Sequence, residues 1–159
     1  MLRVLRAGAG GLQAIEKAGS DWVMPADAAW IDLDTPTRDE ELAAERALGV
    51  LLPTREEMVE IEVSSRLYQE DGATFMTAFV LIGADEAVPA LEPVTFVLAG
   101  KKLATIRYVE PRAFKAYTAQ ATRDPEFCNG GVSAFLGLLD ALVDRVAGCR
   151  RRRHGRTHR

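Results

Sequence analysis

Histidine is absent from residues 1–148 of this 159-residue chain; His154 and His158 both lie in its last eleven positions. A Ser-His-Asp or Cys-His mechanism needs an imidazole that titrates near neutrality, so the body of the chain offers neither. Cysteine is scarce too. Cys128 and Cys149 are too far apart for a CxxC site and have no histidine beside them, which argues against a zinc site within one chain. Two cysteines, with no apolar export stretch in MLRVLRAGAGG, point to a reducing, cytosolic setting. Long apolar runs are also missing. FMTAFVLIGA and AFLGLLDALV fall well short of the roughly 20 residues that cross a bilayer, so the chain as given is expected to be soluble.

What is present is 48% hydrophobic residues, enough for one domain with a proper core. The net charge of −3 hides an asymmetry. Six of the 20 basic residues fall in CRRRRHGRTHR; without them 14 basic residues face 23 acidic ones, a formal charge of −9. The arginine run could contact phosphates, but it holds no aromatic residue and joins an acidic body that repels nucleic acid, so no nucleic-acid partner is expected. Residues 148–159 read as a basic tail, either disordered or a frameshift artefact. Arginine runs arise readily when GC-rich coding DNA is read out of frame, and one codon choice for 148–155, shifted by one base, continues an amphipathic helix.

LRVLRA (2–7) predicts a first strand and AAWIDLD (28–34) a second, with Trp30, Ile31 and Leu33 buried. Thr35 as N-cap and Pro36 at the first helical position predict a helix with Leu42, Ala43, Ala47 and Leu48 on its apolar face, ended by Gly49. Thr54 and Glu57 have capping-box spacing and open another helix. Asp71-Gly72, between Ser64–Glu70 and Thr74–Ile82, is a hairpin signature. A second hairpin spans 94–99 and 102–108 across Gly100-Lys101. Pro111–Thr122 and Gly131–Ala147 read as helices, the latter with Val132, Phe135, Leu136, Leu139, Leu142, Val143 and Val146 at helical spacing. The order implies an α/β domain with a mixed sheet and helices on both faces.

Several stretches invite a chemical reading. LRVLRAGAGGLQAIEKAG resembles a strand, glycine loop and helix. Gly8 and Gly10 fit a dinucleotide fingerprint, but its sixth position is Gln13, so the match is partial. The acids at 56, 57, 60 and 62, and the pair Asp85-Glu86, could bind a hard cation, because Mg²⁺ and Ca²⁺ take oxygen ligands. No dedicated cage is visible, and capping work accounts for part of the first group. Arg66, Tyr68, Arg107 and Tyr108 could contact a ligand, with pairing to nearby acids as the structural reading. No catalytic constellation is evident, and no enzyme is expected.

WIDLDTPTRDEE, LPTREEMVEIEVSSRLYQEDG, VTFVLAGKKLATIRYVEPRAF and LLDALVDRVA, taken in order, resemble the N-terminal cytosolic domain of CorA-type divalent cation transporters. The resemblance covers most of residues 1–147. It implies a three-layer α/β/α fold with a mixed sheet and a regulatory role in a homopentameric Mg²⁺/Co²⁺ channel on the cytoplasmic side of the inner membrane. It further implies an inter-subunit Mg²⁺ site in the loop after the central hairpin. That places Asp85, with Glu86 as its alternate, as metal ligands whose partner acid lies on a stalk absent from this chain. With no Gly-Met-Asn pore signature and no membrane span, the chain as given is not expected to transport, and a monomer or weak oligomer is expected. The zinc-transporting branch of the family and a stand-alone cytosolic binding or scaffold domain are the other readings.

Overall fold

A computed structural model gives the architecture; it describes residues 1–7, 11–16, 19, 21–84 and 86–154, with residues 125 and 149–154 described by backbone alone. Seven strands form one mixed sheet. β1 (Leu2–Arg6), β2 (Leu12–Ile15) and β3 (Ala28–Asp34) lead to helices α1 (Arg38–Leu48) and α2 (Arg55–Glu60). A 3-10 turn, Val63–Ser65, precedes β4 (Leu67–Glu70), β5 (Ala73–Ile82), β6 (Ala90–Ala99) and β7 (Lys102–Arg107). Helices α3 (Arg112–Arg123) and α4 (Gly131–His154) follow, with a second 3-10 turn, Pro125–Phe127, between them. The strand order is β2-β1-β3-β7-β6-β5-β4, antiparallel throughout except for the parallel pair β3/β7.

Both sheet faces are covered, which gives the three α/β/α layers. On one face Ile31, Leu33, Phe75 and Ile106 pack with Ala43 and Ala44 of α1 and Met58 of α2. On the other, Trp30, Phe96 and Leu103 pack with Phe114 and Tyr117 of α3 and Leu138 of α4. Trp30, Ile31 and Leu33 are fully buried, as their strand pattern implies. The Asp71-Gly72 hairpin holds both turn residues at positive φ, +49° and +78°, the turn whose twist suits the flanking strands.

Local details depart from the sequence reading. The N-cap of α1 is Thr37, not Thr35: the Thr37 hydroxyl accepts from the Glu40 N–H at 3.3 Å, and the Glu40 carboxylate accepts from the Thr37 N–H at 2.9 Å. Thr35 instead sits at φ +47° in the preceding turn. On the apolar face of α1 Ala43, Ala47 and Leu48 pack on the core as expected and Ala44 joins them, while Leu42 lies at the surface. Leu12–Ile15 is a strand antiparallel to β1, so no helix follows the glycines there and the dinucleotide reading loses the helix N-terminus it needs; Gly8 and Gly10 themselves lie outside the described residues. The run from Ser64 enters β4 only at Leu67. The backbone of α4 continues past Ala147 to His154.

Candidate functional site

The parallel pair β3/β7 sets Asp32 beside Thr105 and Asp34 beside Arg107. One buried carboxylate gathers most of the polar groups there. Asp32 Oδ1 accepts from Thr105 Oγ1 at 2.8 Å and Arg107 Nε at 3.0 Å, and Oδ2 accepts from Arg107 Nη2 at 2.9 Å. Arg3 of β1 adds Nη2 at 2.6 Å and Nε at 3.1 Å on Oδ2. The Trp30 indole N–H donates to Thr105 Oγ1 at 2.9 Å. Burial pulls the Arg107 pKa down, but the hydrogen bond and charge of Asp32, helped by Asp34 and Glu110, raise it on balance. Five donors fill the roughly four lone-pair sites of a carboxylate, so Asp32 has no oxygen to offer a cation. This network is structural.

Most carboxylates on the α1/α2 side are engaged in the same way. They line a groove of about 740 Å³ that includes Glu41, Glu45, Glu57 and Glu70. Glu57 closes the capping box with Thr54, accepting its N–H at 2.7 Å. Glu45 Oε1 accepts the Leu52 N–H at 3.0 Å, and Glu41 pairs with Arg38 at 2.9 Å. The negative field persists nonetheless: burial first, then Glu70 and Glu57, raise the Tyr68 pKa. Tyr108 is raised by burial and by Glu41, against the opposing charge of Arg55 stacked on its ring at 4.7 Å.

Of the two proposed metal ligands, Asp85 lies outside the described residues. Glu86 is exposed. Its N–H donates to the Gly83 carbonyl at 2.8 Å, and its carboxylate folds back over Gly83, where any Cβ would come within 2.8 Å of Oε2. Gly83 has φ +63°, so the tight loop and the glycine go together. Among the described residues, no three His, Cys, Asp or Glu side chains converge as a metal site. No described helix is long and apolar enough to cross a membrane.

The aromatic and basic residues picked from the hairpins divide. Arg107 pairs with acids, as its structural reading holds. Arg66 instead lies over the Phe79 ring at 4.6 Å, and Tyr68 stacks on Phe75 at 4.8 Å. Sequence reasoning overlooked the Asp32 centre. Its one signal was a charge at each of two positions, Asp32 and Arg107, inside strands that otherwise read as buried.

These features define a three-layer α/β/α domain with an acidic surface, locked at its centre by a carboxylate–arginine network. No protein-family model matches the chain. Over 121 residues, 76% of the chain, it is 28% identical to the magnesium transport protein CorA of Salmonella typhimurium and 29% identical to that of Escherichia coli. The chain spans 38% of the length of these relatives. In fold it matches the soluble domain of CorA from Methanocaldococcus jannaschii with a TM-score of 0.61 at 14% identity, covering 89% of this chain and 55% of that one. The ZntB cytoplasmic domain of Vibrio parahaemolyticus matches with a TM-score of 0.58 at 13% identity, over 89% of this chain and 58% of that one. The resemblance carried by the four sequence blocks is therefore met by similarity to CorA proteins in sequence, and the architecture is that of the CorA soluble domain.

Proposed function

We propose that this chain is the regulatory domain of a divalent cation transporter and serves Mg²⁺ or Co²⁺ transport within a larger membrane assembly. The observation that carries this reading is the sequence match to magnesium transport proteins over 121 residues, within a fold that matches the CorA soluble domain. The relatives are transport proteins, which favours this class over an enzyme. In the proposed mechanism Mg²⁺ is cargo and also a signal. Carboxylates gathered where identical subunits meet repel one another, and a divalent ion removes that repulsion. The ion therefore favours the closely packed, closed state by its higher affinity for it. The loop at Asp85 and Glu86 would supply this chain's share of the site, and a homopentamer would complete it.

Grafting residues 1–147 in place of the matching part of the Escherichia coli relative tests the proposal. The chimera should restore Mg²⁺ uptake to a transport-deficient strain and close at high internal Mg²⁺. A chimera that reaches the membrane and conducts without Mg²⁺ control overturns the regulatory role. In the same background Asp85→Ala with Glu86→Ala should weaken closure by Mg²⁺; unchanged closure removes the loop from the site. A second reading, the zinc-transporting branch, draws support from the nearly equal likeness to the ZntB domain. Uptake of Zn²⁺ rather than Mg²⁺ by the native transporter would select it.

A further inference from the structure

Because β3 and β7 run parallel, their starts lie side by side, and α1, returning from the end of β3, brings its last turn to the same level. A pocket of about 330 Å³ opens there, and it shares no residue with the acidic groove. Buried Met24 and Ala43, with half-buried Trp22 and Pro25, line it with apolar surface. Its charged lining residues are Arg46 and Lys102, both cations, on a body that is otherwise strongly acidic.

Both cations have capacity to spare. Arg46 is exposed, and no hydrogen bond or ion pair joins it to a described residue. Lys102 Nζ donates to the Ala26 carbonyl at 3.2 Å, which uses one of its three donors. Asp27, whose charge reaches Lys102, is held by Arg6 through bonds of 2.8 and 2.9 Å. Asp21 is exposed and has an interaction of its own. The last turn of α1 is where a cation offsets the negative end of the helix dipole. That accounts for Arg46 alone; it explains neither Lys102 nor the aromatic wall.

We propose that this pocket binds a small organic phosphate with a flat ring, of the size of a nucleoside monophosphate. The guanidinium fork of Arg46 can take two phosphate oxygens at once, and Lys102 adds a compact second charge. The Trp22 indole offers a face on which a base can stack. The volume lies at the small end of ligand pockets, about 300–1,000 Å³. The sign of the charges turns a divalent cation away, so this is no metal site. The proposal is independent of the transport reading.

Isothermal titration calorimetry of the 159-residue chain tests it, in buffer with EDTA so that no metal bridges protein and ligand. Adenosine monophosphate should bind saturably at one site per chain, and adenosine and inorganic phosphate each at least about tenfold more weakly. Arg46→Gln and Lys102→Gln should each weaken adenosine monophosphate about tenfold or more, since each removes a charge-assisted hydrogen bond. Arg46 is exposed, so circular dichroism should show the fold intact in its variant. Arg123→Gln, on α3 across the sheet, should leave binding unchanged. The proposal is overturned if adenosine monophosphate does not bind saturably, or if Arg46→Gln has no effect. It is likewise overturned if Arg123→Gln weakens binding as much, which would mean diffuse charge attraction. Adenosine binding as tightly would remove the phosphate from the site, and inorganic phosphate binding as tightly would remove the ring; either result overturns it.

Discussion

Asp32 and Arg107 face each other across the only parallel strand pair of the described sheet, joined by two hydrogen bonds of 3.0 and 2.9 Å, with both side chains fully buried. An ion pair removed from water this completely offsets its desolvation only while both partners remain. Asp32→Ala leaves the buried Arg107 with only the partly exposed Asp34 carboxylate at 3.3 Å and the Val109 carbonyl at 2.6 Å, and should destabilise the domain by about 3 kcal/mol in urea titration. The double variant Asp32→Leu with Arg107→Met should recover most of that loss, because Arg3 is partly exposed and can turn to solvent. A double variant no more stable than Asp32→Ala would contradict this account.

How much of this was legible in the sequence depends on range. The hairpin at Asp71-Gly72 and the box at Thr54/Glu57 are specified by residues within three or four positions, and both read correctly. At the start of α1 two threonines compete, and the deciding residue is Glu40, three positions after Thr37; Arg38, three after Thr35, cannot close a box. The Asp32–Arg107 pair spans 75 residues, and no local pattern announces a partner that distant. Strand β2 was hidden because glycines before a short apolar segment suit a hairpin as well as a strand–helix loop. As for the metal site, Asp85-Glu86 is a chemical suggestion from the loop's acids and from resemblance, and Glu86 is found turned back on its own loop.

The Thr37 box does more than cap a helix. Glu40 also accepts the Leu2 N–H of β1 at 3.1 Å, tying the first strand to α1. Thr37→Ala should therefore lower stability by about 1 kcal/mol, the ordinary loss of a cap. Glu40→Ala should cost more, since it also leaves the buried Leu2 N–H without its acceptor. Equal losses for the two variants would show that the Leu2 contact contributes nothing.

Two glycines of α4 give a paired test of packing against propensity. Glycine inside a helix is about 1 kcal/mol worse than alanine, so Gly→Ala should stabilise wherever space permits. At Gly148 nothing lies within 4 Å of an added Cβ, and Gly148→Ala should gain a few tenths of a kcal/mol to about 1 kcal/mol. At Gly137 the Cβ meets the Tyr117 ring, which is buried between helix and sheet and cannot retreat. Forcing it costs about 1–3 kcal/mol, so Gly137→Ala should be destabilising despite its better propensity. Thermal melts of the two variants should move in opposite directions.

Tyr117 also sets the behaviour of the domain in alkali. Its hydroxyl is buried and without a hydrogen-bond partner; burial raises its pKa well above the usual tyrosine value, and the neighbouring Cys128 thiol adds to the rise. The unfolded chain releases this proton near pH 10, whereas the folded one holds it. The sign follows from linkage: below about pH 10 both states are protonated and the group is neutral in the balance, while above it the unfolded state alone ionises and gains stability. Melting temperature should therefore fall as pH rises past 10. Tyr68 and Tyr108 are raised in the same direction, so phenolate absorbance should lag behind that of free tyrosine until the fold gives way. Tyr117→Phe removes the largest of these groups with no hydrogen bond lost, and it should melt like the parent at pH 7 and higher than the parent at pH 11. If parent and variant decline together between those two values, the buried phenol is not what limits stability there.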